Sequence, residues 1–375
     1  MFLISSIISF VMLDLGVFFL VESGRLNINK PTYSLRSVTS RFWVDINEDF
    51  GVWHEPHSSY NHKKSCFEVE YEANSHGARD VERLKSSDKD RVVVLGDSFV
   101  EGVGVSLEKR LTNLLEEQSK IEHLNFGTAG HFGTTQYFLM YKKLAKEFGH
   151  SSILLGILPN NDFYDDDYSY GKKVYFDRYR PYFVGQYPEY DLIYFKENLS
   201  GWELRFFSYI KGLFREFTYT YNAIAFLSTA NRFEYGGEGT ETYSGYYDYK
   251  KDQLDVMFYS IEKLIEEAAG KKITVFTIPV IGDLLRFDKA KSSPLSKELK
   301  EFSKSKGFNY LDLLPLMHSH TRQWDKYYLP CDGHWSEYGN AVAFKYIKDH
   351  LQGGSWETNS SQFHHHSRLI TVGEF

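Results

Sequence analysis

The stretch Val92–Val105, VVVLGDSFVEGVGV, decides how the rest of the chain is read. Its apolar, β-branched half has the character of a buried strand, and the run breaks at Gly96-Asp97-Ser98, with further glycines at Gly102 and Gly104. A strand ending in such a loop holds either a phosphate or a nucleophile. A Walker loop needs G-x-x-x-x-G-K-[ST], whereas Glu101 stands fifth after Gly96 and no lysine follows. The glycine spacing also misses the G-x-G-x-x-G dinucleotide pattern, and Asp97 and Glu101 would repel a phosphate. Nucleotide binding therefore fails on spacing and on charge. A serine at a strand-to-helix turn is ordinarily a helix N-cap. To act as a nucleophile, Ser98 needs a base oriented by a third group, and donors for an oxyanion. Gly102 and Gly104 are read as room for the chain to turn into its helix.

Outward from this stretch the chain alternates. Strands are expected at 90–96, 121–127, 151–159, 271–279 and 308–314, with helices at 106–118, 134–148, 253–269, 293–307 and 336–351. Strands separated by helices imply a parallel five-stranded sheet with helices on both faces, ligands binding beyond the carboxyl ends of the strands. Residues 41–90 carry short aromatic and β-branched pieces and are read as a small β-rich lead-in, preceded by a polar tether over 22–40. An insertion over 163–250 holds 17 of the 28 tyrosines and a helical section at 204–227, the composition of a lid, a substrate-binding extension or an aromatic-packed cap. The tail 353–375 lacks periodicity and is expected to be disordered; its three consecutive histidines have no fixed geometry and receive no role.

The composition removes other classes. The net charge of −7 offers no basic footprint for nucleic acid. Two cysteines, Cys66 and Cys331, have no C-x-x-C metal or redox spacing and leave open one disulfide in an oxidising compartment. Met1–Val21 is apolar apart from Asp14 and three serines, and about 20 such residues cross a bilayer as a helix. With no basic n-region and no small-residue cleavage site, a membrane anchor is preferred to a signal peptide. Asp14 is costly at mid-membrane unless it is paired.

Three further segments supply what Ser98 needs. LPCDGHWSEYGN, after the last strand, carries Asp332 and His334. LNFGTAGHFG carries Gly130, whose amide suits an oxyanion, and LPNND carries Asn161, whose side-chain amide does the same. All follow strand ends of one parallel sheet, so they converge on one edge.

These segments, in this order, resemble the SGNH (GDSL-type) hydrolase superfamily, a family with a three-layer α/β/α, flavodoxin-like sandwich. Gly96-Asp97-Ser98 is similar to its first block, Asn125-x-Gly127-x-x-Gly130 to the second, Asn161-Asp162 to the third, and Asp332-x-His334-Trp335 with Gly339-Asn340 to the last. The resemblance covers roughly residues 90–350. It implies Ser98 as nucleophile, His334 as base and then acid, Asp332 as orienting carboxylate, and an oxyanion hole of the Ser98 and Gly130 amides with the Asn161 side chain. It implies no cofactor and no metal.

Two departures stand out. Pro159 occupies the place of a usual glycine, and one residue rather than two separates Asp332 from His334. The D-x-H-W form occurs in members linked to bacterial surface polysaccharides. Asn74-x-x-Gly77-x-Arg79-Asp80 resembles an element preceding the catalytic domain in many membrane-anchored bacterial members; read by itself it is a glycine turn with Arg79 and Asp80 pairing locally.

The expected function is an esterase removing O-acyl, above all O-acetyl, groups from a carbohydrate. An O-acetyltransferase of polysaccharide assembly with the same triad is the first alternative, and a silent membrane-tethered glycan-binding protein the second. The expected location is single-pass, with the catalytic domain in the periplasm, although Lys and Arg occur only after the apolar segment, which favours a cytoplasmic domain. Oligomeric state is left open. Two readings start as open choices: the acidic run Asp162 to Asp167 as a solvated turn rather than a cation loop, and Trp335 as either a sugar platform or a core residue.

Overall fold

The computed structural model describes residues 2–195, 202–233 and 243–353. Strands Arg91–Gly96 (β1), Glu122–Gly127 (β2), Ser152–Ile157 (β3), Lys272–Thr277 (β4) and Asn309–Asp312 (β5) form one parallel sheet in the order β5-β4-β3-β1-β2. Every residue of β1 and β3 is buried, as in a parallel sheet flanked by helices. The strand order reverses between β1 and β3, and this switch point opens a crevice at their carboxyl ends. Gly96 is required there by close approach, since a Cβ at that position would lie 2.3 Å from a methyl of Val100.

Helix Ser98–Glu101 begins at the serine itself. Its N-cap is Asp97, whose carboxylate accepts the Phe99 N–H at 3.0 Å, so the capping role expected of Ser98 falls to its neighbour and the hydroxyl is released. Gly102 ends this turn as its C-cap at φ +83°, and Gly104, at φ +81°, follows it in the bend that leads to the next helical segment at Leu107.

The lead-in is β-rich, with antiparallel hairpins pairing Val44–Asn47 with Gly51–Trp53 and Ser59–Lys63 with Glu68–Glu72. It is not a separate appendage. Arg79, 2% exposed, donates to the carbonyls of Glu101, Gly102 and Val105, clamping the loop after the Ser98 helix. Asp80 takes Arg83 and Arg110. The Arg79–Asp80 pairing is thus corrected: Arg79 turns to three distant carbonyls, and Asp80 holds Arg83 three residues on and Arg110 thirty residues on, because buried charges need several hydrogen bonds that one neighbour cannot supply.

Helix Phe2–Glu22 (α1) contains 19 residues, Ile4–Glu22, of mean hydropathy 2.3 and is long and apolar enough to cross a membrane. The stretch expected as a tether is packed instead: Ile28 and Val38 are buried, and Leu35–Val38 is a helical turn. The insertion contributes an antiparallel hairpin, Arg180–Gln186 with Glu189–Phe195, and two helices, Trp202–Phe217 (α2) and Tyr219–Phe233 (α3). A single helical section was expected over 204–227. Thr218 divides it, its hydroxyl accepting the Tyr221 N–H as a cap for α3. The first part, 234–242, of the Gly- and Tyr-rich stretch 234–250 and the tail from 354, with its histidines, lie outside the described residues; Gly353 closes the last helix, Glu337–Gly353.

The acidic run is not a solvated turn. Asp162, Asp165 and Asp166 are buried. Asp162 accepts the Tyr137 hydroxyl at 2.8 Å and the Leu158 N–H at 2.9 Å, while Asp166 accepts the backbone N–H groups of Thr134 and Thr135 at the start of a helix. Helix-terminal amides pull these carboxylates inward where charge density alone points outward.

Candidate active site

Ser98 lies at the end of β1, and His334 and Asp332 lie in the loop between β5 and the last helix. The His334 Nε2 is 2.7 Å from the Ser98 Oγ, and its Nδ1 is hydrogen-bonded to the Asp332 Oδ1. With Nδ1–H donated to the carboxylate, Nε2 is left as the acceptor facing the serine hydroxyl. Burial pushes the His334 pKa down, but the charge and hydrogen bond of Asp332 outweigh it, leaving the imidazole above its ordinary value. Burial would raise Asp332, yet His334 and Lys64 hold it well below the usual carboxylate range. Burial pushes Asp97 up to about 6, against the Phe99 N–H and the charge of His334.

Lys64 was not singled out from the sequence. Its ammonium donates to the Asp332 Oδ2, so one carboxylate joins a cation on one side to the imidazole on the other. It sits in the turn that joins the strands of the second lead-in hairpin, and two residues later Cys66 is disulfide-bonded to Cys331, the neighbour of Asp332. The open cysteine question thus resolves into a staple holding the Lys64 turn against the Asp332–His334 loop.

Glu101 is likewise more than an anion that repels phosphate. Fully buried, it accepts the Ala129 N–H at 2.5 Å and the Trp43 indole N–H at 2.9 Å. It therefore fixes the loop that leads to Gly130, which has φ +107°. Asn125 ties the same loop to the Ser98–Glu101 helix, donating to the Val100 carbonyl at 2.7 Å and accepting the Gly127 N–H at 2.9 Å.

Ser98, Asn161, Asp332 and His334 line a cavity of about 990 Å³, together with Asn27, Phe226 and Ile281 among others. Asn161 Oδ1 is buried without a hydrogen-bond partner among the described residues. Gly130 is not among the lining residues; it starts from a loop that runs beside Gly96, where the Thr128 N–H reaches the Gly96 carbonyl at 3.3 Å. Trp335 is 1% exposed and packs edge-on to Phe99, whose ring also lies 5.0 Å from that of His334. It is a core residue packed behind Phe99 and His334, not a platform. His131 lies outside the lining, its imidazole held by the Tyr175 hydroxyl.

The sequence matches no protein-family model and no curated protein. Solved structures similar in fold are SGNH/GDSL lipases and acylhydrolases. A lipase/acylhydrolase from Enterococcus faecalis is 12% identical, covering 72% of this chain and 100% of its own at a TM-score of 0.38. A GDSL-like lipase from Bacteroides thetaiotaomicron is 9% identical, with 73% and 93% covered and a TM-score of 0.38. A member of the lipolytic G-D-S-L family from Veillonella parvula is 11% identical, with 69% and 96% covered and a TM-score of 0.36.

Proposed function

We propose that this chain is a serine esterase of the SGNH type that removes O-acyl groups, O-acetyl above all, from a carbohydrate. One observation carries the reading: the 2.7 Å approach of His334 Nε2 to Ser98 Oγ, with Asp332 on the other ring nitrogen. Ser98 attacks the ester carbonyl carbon while its proton passes to His334. The oxyanion is held by the Ser98 and Gly130 amides and the Asn161 side-chain amide. As the tetrahedral intermediate collapses, His334 returns the proton to the leaving alcohol. Water, deprotonated by the same imidazole, then attacks the acyl-enzyme and releases the acid.

The anchor reading of α1 is part of this proposal, with the catalytic domain outside the cytoplasm. The Cys66–Cys331 disulfide supports that side, since such bonds persist in oxidising compartments, against the lysine and arginine asymmetry that favours the cytoplasm.

The test is hydrolysis of p-nitrophenyl acetate and of O-acetylated oligosaccharides by the full chain and by Ser98→Ala. The expected loss is about a thousandfold or more in kcat with the protein still folded. Unchanged turnover overturns the assignment.

A further inference from the structure

Helix α2 is amphipathic in the wrong sense for a protein surrounded by water. Its polar and small face turns inward: a Cβ on Gly212 would lie 2.3 Å from the Val38 carbonyl, Arg215 donates to the Ser37 carbonyl, and Glu216 accepts the Thr32 hydroxyl. The outward face carries Phe206, Phe207, Phe214 and Phe217, which are 58%, 61%, 47% and 38% exposed. On α3, Ile224 and Leu227 are 61% and 56% exposed. A water-exposed helix buries its apolar stripe and shows its polar one, and a continuous apolar face of this kind marks an interaction surface.

The neighbour of that face is α1. Asp14 accepts the backbone N–H of Thr220, in the first turn of α3, at 2.7 Å, and Val21, Tyr219 and Ala223 pack together. Asp14 lies eight residues before the end of α1, about 12 Å along the helix. The first turn of α3 therefore sits beside the part of the chain that a bilayer surrounds. There a carboxylate and an orphan helix amide satisfy one another, a pairing that matters most where water is absent. Farther along, Phe226 of α3 and Asn27, five residues after α1, line the cavity that holds Ser98. Five extended residues reach about 18 Å at most, so one wall of the cavity stays close to the end of α1.

We propose that α2 and α3 lie in the bilayer surface beside the spanning α1 and hold the mouth of the Ser98 cavity against it, so that the ester acted upon is a membrane-borne amphiphile. The bilayer is the occupant because the apolar face is continuous with the one helix among the described residues that is long and apolar enough to enter lipid. The substrate half rests on the Ser98 reading; the docking half does not.

Nitroxide labels on Phe207→Cys, Phe214→Cys and Ile224→Cys, in the full chain reconstituted in phosphatidylcholine vesicles, test the docking. Oxygen accessibility should be high and accessibility to a water-soluble nickel complex low, as at Ile8→Cys on α1 and unlike Lys297→Cys on the exposed side. Nickel access equal to that at Lys297, or low access to both reagents as in a contact between two copies, overturns it. The substrate half is tested with Phe207→Asp/Phe214→Asp, which should slow hydrolysis of a long-chain p-nitrophenyl ester held in the vesicles about tenfold while keeping p-nitrophenyl acetate within about twofold. Equal rates on both esters for wild type and variant overturn it. If Ser98→Ala keeps full activity the esterase reading fails, while the label accessibilities still decide the surface.

Discussion

Lys64 and His334 bind opposite oxygens of one carboxylate: the Lys64 ammonium takes the Asp332 Oδ2, and the His334 imidazole takes Oδ1. The hydrogen-bonded chain Ser98–His334–Asp332–Lys64 is therefore four groups long, ending on a cation supplied by the lead-in. Lys64 opposes the rise that Asp332 imposes on His334. His334 must be neutral to accept the serine proton, so activity rises with pH through its pKa. Lys64→Met removes the opposing charge, the pKa climbs further, and the acid limb of kcat/KM moves to higher pH, by about one unit or less. A pH profile on p-nitrophenyl acetate identical to that of wild type would rule out this coupling.

Glu101 holds the Ala129 amide and, through it, the approach to Gly130. Glu101→Gln replaces one acceptor oxygen by a donor that faces two N–H groups. The expected loss is about 10- to 100-fold in kcat with a much smaller change in KM, because the donors aimed at the oxyanion are misplaced. Steady-state kinetics on a soluble ester reads this directly; a loss confined to KM contradicts it.

The Cys66–Cys331 bond joins positions 265 residues apart. Replacing both cysteines by serine should lower stability by about 2–5 kcal/mol. It should also reduce kcat, since the Lys64 turn and the Asp332 loop lose their common tether. Thermal denaturation together with kinetics of the double variant checks both effects, and an unchanged kcat would separate the staple from catalysis.

Asp80 is the buried counter-charge of Arg83 and Arg110, the latter wholly buried. Burial pushes the Arg110 pKa down to about 10, with Asp80 acting against it. Asp80→Ala strands that guanidinium, and the expected destabilisation is about 3–5 kcal/mol. Chemical denaturation measures it. A cost near zero would mean that the lead-in motif contributes nothing to the fold.

Much of this was legible in local pattern. The buried run ending at Gly96, the alternation of strands with helices, and the failure of phosphate spacing at Glu101 all follow from periodicity and turn chemistry within short windows. The parallel sheet in turn requires the loops bearing Ser98, Asn161 and Asp332-x-His334 to emerge at one edge. Less was legible where composition alone was available. The run Asp162 to Asp167 reads as solvated until the helix amides that draw it inward are seen, and the insertion that holds Phe206 to Phe217 reads equally as a lid, a substrate-binding extension or an aromatic-packed cap until the inward face of α2 proves to be the polar one.

What the sequence by itself determined is the class of sheet, the order of its strands along the chain and the segments that meet at its carboxyl edge, because periodicity and loop placement are local properties. Only the tertiary structure decided that Lys64 completes the chain of charges, that Cys66 and Cys331 join, that Glu101 secures the approach to Gly130 and that α2 presents its phenylalanines outward. Each depends on which residue of a distant segment lies within hydrogen-bonding or van der Waals reach, and short-range pattern carries no record of that: Lys64 and Asp332 stand 268 residues apart.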